Sequence, residues 1–119
     1  MKMKARWIEF GEIEIEGVRY AFDIVIEAGT VEKRKKKPSK AERGRFGHTP
    51  LSANERIPWG GRRLIVGTGQ SGKLPIMPDV WAEAQRRGVE IVAVPTEEAL
   101  RLLGDVEAKD AYAVVHVTC

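Results

Sequence analysis

Cysteine is almost missing from this chain. One residue, Cys119, can form neither an internal disulfide nor a cysteine-rich zinc site. Histidine is nearly as scarce: His48 and His116 are the only two, with no carboxylates at ligand spacing, so no metal is expected. Long apolar runs are absent as well. The longest hold four or five residues, too few to span a bilayer, and the first residues lack a signal-peptide core, so a cytoplasmic location and no membrane partner are expected. Asn occurs once (Asn54) and Gln twice (Gln70, Gln85) against 20 basic and 17 acidic residues. That balance suggests a thermostable protein from a heat-adapted source.

The net charge of +3 conceals an asymmetry. Between Val31 and Pro50 lie eight basic residues, Lys33, Arg34, Lys35, Lys36, Lys37, Lys40, Arg43 and Arg45, against Glu32 and Glu42, a local +6 on a body that carries −3. One basic segment on a mildly acidic body reads as a patch or a mobile loop. Aromatic stacking partners near it are few, only Phe46 and Trp59, and no base-reading motif accompanies it, so a solvated charge run is favoured over a nucleic-acid partner, and a nucleic-acid binder through residues 33–45 is the weaker alternative function.

A chain of 119 residues can build one real core, and the pattern divides it into three parts. Residues 1–37 read as antiparallel strands. Ile13 and Ile15 alternate with glutamates, Glu16-Gly17 turns the chain, and Val18, Tyr20 and Phe22 resume the apolar side, giving one expected inner face. Ile24 and Ile26 continue the alternation, Ala28-Gly29 makes a second turn, and Val31 opens the next strand. A two-residue loop there sets Asp23 opposite Arg34, and a slip of one residue would set it opposite Lys33. A structural ion pair between Asp23 and Arg34 is the favoured reading. Residues 38–61 form a long basic connection punctuated by Gly and Pro, in which Ser52-Ala-Asn-Glu55 has capping-box spacing and predicts a single helical turn. Trp59 is expected to anchor its far end in the core.

Residues 62–119 change character. A strand over 63–66, a helix from about Asp79 to Arg87 stopped by Gly88, a strand over 89–94, a helix from about Glu97 to Leu103 capped by Thr96, and a strand over 111–117 predict a right-handed βαβαβ unit. The fold class is therefore α/β, N-terminal antiparallel hairpins joined to that unit. At its carboxyl edge lies Leu64-Ile65-Val66-Gly67-Thr68-Gly69-Gln70-Ser71-Gly72-Lys73, a buried strand opening into a glycine loop whose bare N–H donors could cradle an anion. Its G-x-G-x-x-G lacks a helix starting inside the glycines, because Pro75 and Pro78 follow. Its G-x-x-x-x-G-K continues with Leu74, where a P-loop needs Ser or Thr for magnesium. No nucleotide or other cofactor is expected.

Taken together, Leu64–Gly72, Pro95-Thr96-Glu97-Glu98-Ala99, the terminal His116-Val117-Thr118-Cys119, Asp23, Gly29, Arg34 and Gly47-His48 give a chain that resembles, over nearly its whole length, a domain-of-unknown-function family. That family includes the adipogenesis-associated domain protein and a mitochondrial assembly factor of respiratory complex I. The resemblance implies an α/β fold of three layers with a mixed sheet partly curled on itself. It implies no reaction and assigns no functional residues.

The favoured function is a binding or assembly module for a protein partner or a small anion, with Gly67, Thr68, Gly69, Thr96, His116, Arg34 and Lys36 around one anion pocket. The alternative is a small cofactor-free enzyme acting on an anionic or carbonyl substrate, with His116 or Cys119 reactive. Residues three apart on a strand point to opposite faces, so that pair would require the chain to leave strand geometry after His116.

Overall fold

A computed structural model describes residues 1–119. Alternation and turn chemistry account for its first half. Strand β1 (Ala5–Glu9), which the sequence pattern does not announce, pairs antiparallel with β2 (Glu12–Ile15), and β2 pairs with β3 (Val18–Tyr20). The β2–β3 turn sets Glu16 at φ 50° and Gly17 at φ 80°, both positive as a two-residue type I′ hairpin requires. The same device joins β4 (Ile24–Glu27) to β5 (Thr30–Lys33) through Ala28 at φ 49° and Gly29 at φ 86°. Gly29 is doubly constrained, since a Cβ there would lie 2.6 Å from the Ala108 carbonyl oxygen.

The expected inner face of the first hairpin holds only in part. Ile13 and Ile15 are buried, but Val18 is 51% exposed and Phe22 40%. The cause is that β3 is a three-residue edge strand ending at Tyr20, and the chain bends away before β4. Phe22 sits in that bend, edge-on to Tyr20 at 6.0 Å and beneath the Lys33 ammonium at 5.1 Å. Two sheets result: β1-β2-β3, and a mixed sheet in the order β5-β4-β8-β6-β7, where β6 is Arg63–Thr68, β7 Glu90–Val94 and β8 Tyr112–His116.

The second half is the expected βαβαβ unit. Helix α2 (Pro78–Arg87, closed by Gly88 at φ 70°) links β6 to β7, and α3 (Thr96–Leu103) carries the chain back across β6 to β8. Two crossovers of one hand running in opposite directions put their helices on opposite faces of the sheet. The residue sets follow the pleat. Val25, Leu64, Val66 and Val114 pack with Val80 of α2 on one face. Ile24, Ile26, Ile65, Ala113 and Val115 pack with Ala99, Leu100 and Leu103 of α3 on the other, where Met3, Ile13 and Ile15 of the small sheet's region close the third layer.

The 38–61 connection is built rather than loose. A 3₁₀ helix (Lys37–Glu42) runs into the short α1 (Arg43–Phe46), and Leu51, fully buried, bonds through its backbone to Pro75 and Met77. The Ser52–Glu55 stretch makes a turn closed by the Glu55 amide on the Ser52 carbonyl, without a capping box, because the Glu55 carboxylate is used elsewhere. Trp59 packs, half-buried, against the α2-side core.

Leu100→Ala, emptying a site between α3 and both sheets, is expected to cost ~2–5 kcal/mol in urea unfolding, whereas half-exposed Val18→Ala should move it by no more than about 0.5 kcal/mol.

Candidate functional site

The carboxyl edge of the parallel strands collects the glycine loop, the start of α3 and the residues after β8. Strand β6 runs past Val66 through Gly67 and Thr68. Gly67 lets α3 approach, for a Cβ there would meet Thr96 Oγ1 at 3.0 Å and Ala99 Cβ at 3.3 Å. Thr96 is the first residue of α3 and not its cap. Its hydroxyl accepts from the Gly69 amide at 2.8 Å and donates to the His116 carbonyl at 2.5 Å, tying loop, helix and β8 together.

The loop amides, expected to face a ligand, bond to the chain itself. Gln70 N–H donates to the Thr118 carbonyl at 2.7 Å, and Ser71 and Lys73 N–H donate to the Cys119 carbonyl at 3.0 and 3.1 Å. Gly69, at φ 105°, presses against the same segment, where a Cβ would sit 2.1 Å from the Cys119 carbonyl carbon. The glycines thus make a cradle, and residues 118 and 119 lie in it.

Beside the cradle is a buried polar cluster. The register of β4 on β5 pairs Ile24 with Lys33, which sets Asp23 against Arg34. Arg34 is 4% exposed and each nitrogen of its guanidinium is engaged: Nη1 donates to Asp23 at 2.9 Å, Nε and Nη2 form a two-pronged bond to Glu55 at 2.8 and 2.7 Å, and Nη2 also donates to the Pro50 carbonyl at 2.9 Å. Ser39 donates to Glu55 and meets Ser52 at 2.6 Å. Asp23 turns its other contacts toward β8. Its Oδ2 lies 2.8 Å from His116 Nδ1, and Oδ1 accepts from the Val117 amide at 2.9 Å. Burial pushes the Asp23 carboxyl up, but the His116 hydrogen bond and charge, the Val117 amide and Arg34 together hold it below its ordinary value. Burial likewise opposes the Arg34 charge, and Glu55 and Asp23 override it, raising that group further.

The other ring nitrogen, His116 Nε2, lies 3.2 Å from Thr118 Oγ1. In the tautomer that donates Nδ1–H to the carboxylate, Nε2 is the acceptor, so His116, Asp23 and Thr118 can act as a base, its orienting carboxylate and a hydroxyl in reach. The ring nitrogens face Asp23 and Thr118, not Cys119. Of the residues expected at one pocket, Gly67, Thr68, Gly69, Thr96 and His116 converge, and Arg34 joins them through Asp23. Lys36 is exposed and makes no bond to any of them. Thr118, Glu55, Ser39 and Ser52 were not anticipated. Thr118 follows from the two-residue strand period beyond His116, whereas Glu55 is hidden behind its capping-box spacing.

A separate concavity lies elsewhere. A cleft of about 860 Å³ opens at the amino edge of the parallel strands, lined by Gly60, Gly61, Arg63, Glu90, Asp110 and Tyr112. Its glycines are explained by the Tyr112 ring, which a Cβ on Gly61 would meet at 2.4 Å.

Glu55→Ala removes the two-pronged partner of a buried guanidinium, leaving Asp23 as its one carboxylate, and is expected to cost ~3–5 kcal/mol in urea unfolding. The acid limb gives a second check. Because folding lowers the Asp23 carboxyl below its ordinary 3.8, the stability it contributes is complete above that value and is lost as pH falls through the depressed one. Partly exposed Glu83, drawn down to about 2 by hydrogen bonds from Arg86 and Arg87, adds its own loss at the acid end. The urea midpoint should therefore decline below about pH 4, and Asp23→Asn, weaker at pH 7, should show a shallower decline that isolates the Asp23 share.

No protein-family model matches the sequence, and no curated protein matches it. Solved structures do. A conserved hypothetical protein from Pyrococcus horikoshii OT3 is 31% identical, with 98% of this chain and all of that one covered at a TM-score of 0.76. The protein MT938 is 22% identical over 98% of this chain and 99% of its own, at 0.69. A Bordetella pertussis protein described as a Mth938-like domain is 18% identical over 95% of this chain and 85% of its own, at 0.58. The last two show a shared fold. The chain belongs to the family of the Pyrococcus horikoshii conserved hypothetical protein, built on the Mth938-like fold.

Proposed function

We propose that this chain is a non-enzymatic binding or assembly module. The observation that supports it is the closure of the carboxyl edge: the loop amides of Gly69, Gln70, Ser71 and Lys73 and all the donors of Arg34 that reach the cluster are engaged within the chain. No buried side-chain nitrogen or oxygen lacks a partner. An enzyme working on developing negative charge needs such donors free and aimed at the reacting atom. The resemblance to the family containing a complex I assembly factor supports the assembly half of the reading.

Asp23, His116 and Thr118 favour a second reading, a small cofactor-free enzyme for an anionic or carbonyl substrate. In that reading a ligand at the edge takes its hydrogen bonds from His116 and Thr118, since the loop amides are committed.

Affinity capture of the full chain from its native extract is expected to retain a macromolecular partner at stoichiometric ratio, and His116→Ala is expected to leave that capture intact. Turnover of a small molecule that disappears in both His116→Ala and Thr118→Val, with no partner retained, would replace the module with the enzyme.

A further inference from the structure

We propose that the exposed face of residues 33–43 is a docking surface for a nucleic-acid backbone. The sequence suggests a solvated run; the structure shows an ordered ridge whose charge is not consumed. Lys33, Lys35, Lys36, Lys37, Lys40 and Arg43 are all exposed, and none enters an ion pair. The two acids nearby are already taken, Glu32 by Arg56 at 3.3 Å and Glu42 by Arg45 at 2.9 Å. Unpaired cations elsewhere, such as Arg62, Arg101 and Lys109, are scattered along the chain. Here six fall within eleven residues.

The backbone arranges them. In the 3₁₀ helix Lys37–Glu42, side chains three apart eclipse, so Lys37, Lys40 and the adjoining Arg43 form a row spaced about 6 Å along the axis. Two nucleotides of a duplex strand cover about 7 Å. The opposite side of the helix is anchored: Ser39 is fully buried and bonded to Glu55 and Ser52, whose network also locks Arg34 at the segment's start. The cations are therefore presented by a held backbone, and binding orders only their side chains.

Lysine is depleted from protein–protein interfaces, and this row contains no large apolar anchor, so phosphate is a better occupant than an acidic protein face. Phosphate contacts position without reading sequence. The surface should accordingly bind strands of any sequence.

This proposal goes beyond the module reading, which stands on the carboxyl edge. A protein partner retained without nucleic-acid binding removes the proposal alone, and nucleic-acid binding combined with His116-dependent turnover removes the module alone.

The test is fluorescence anisotropy of a mixed-sequence duplex DNA and a mixed-sequence single-stranded RNA with the full chain between 50 and 200 mM salt. Binding should weaken linearly on a log–log plot. The variant Lys37→Gln/Lys40→Gln/Arg43→Gln should bind at least tenfold more weakly at 50 mM salt and lose about two to three from the slope, in line with one counterion released per phosphate contact. Arg62→Gln/Arg101→Gln/Lys109→Gln, which removes the same charge elsewhere, should bind like the parent, and thermal midpoints check that both variants are folded. Absence of binding at 50 mM salt, equal loss in both triple variants, or full competition by polyglutamate at the same charge concentration would each overturn the proposal.

Discussion

The guanidinium of Arg34 is the group on which the structure's long-range order depends. It leaves β5, directs its donors to Asp23, Glu55 and the Pro50 carbonyl, and so fastens the 38–61 connection to the sheet from the inside. A lone buried cation would be prohibitive, and the geometry compensates by pairing it with two carboxylates in a network where every buried side-chain polar atom has a partner. Through Asp23 the same network reaches His116 and the Val117 amide, so strand β8 is held at its exit by the group that holds the connection.

That coupling gives the glycine loop a different meaning from the one its composition suggests. Bare amides beside φ-positive glycines are a general anion motif. Here the same geometry receives backbone carbonyls, because β8 delivers residues 118 and 119 to the spot a phosphate would occupy. Thr96 sets the alignment by bonding both sides with one hydroxyl.

Much of the fold was legible because its signals are local and periodic. Glu16-Gly17 and Ala28-Gly29 state two-residue turns, and counting from the second one sets Asp23 opposite Arg34. The apolar runs Ile65-Val66, Ile91–Val94 and Ala113–Val115 state strands, of which β6 and β8 are buried inside the sheet while edge strand β7 leaves Ala93 exposed, and Gly88 ends α2 where expected. What was not legible is non-local. Strand β1 lacks clean alternation, and its pairing with β2 shifts near Glu9. The break after Tyr20 that makes two sheets has no punctuating Gly or Pro. Glu55 satisfies a local capping rule that loses to a buried arginine 21 residues away. The engaged state of the loop amides depends on where residues 118 and 119 return, which spacing does not reveal.

The sheet order carries a consequence for biogenesis. Strand β8 is the last of the eight in sequence, yet it lies between β4 and β6, pairing antiparallel with one and parallel with the other. On a ribosome, where synthesis proceeds from the N-terminus, the β5–β4 hairpin and the β6–β7 pair emerge as two half-sheets, each with an open hydrogen-bonding edge. Neither edge is covered until β8 emerges and inserts between them. Open apolar edges recruit other chains, so the nascent protein passes through a sticky interval that ends only when its last strand closes the gap.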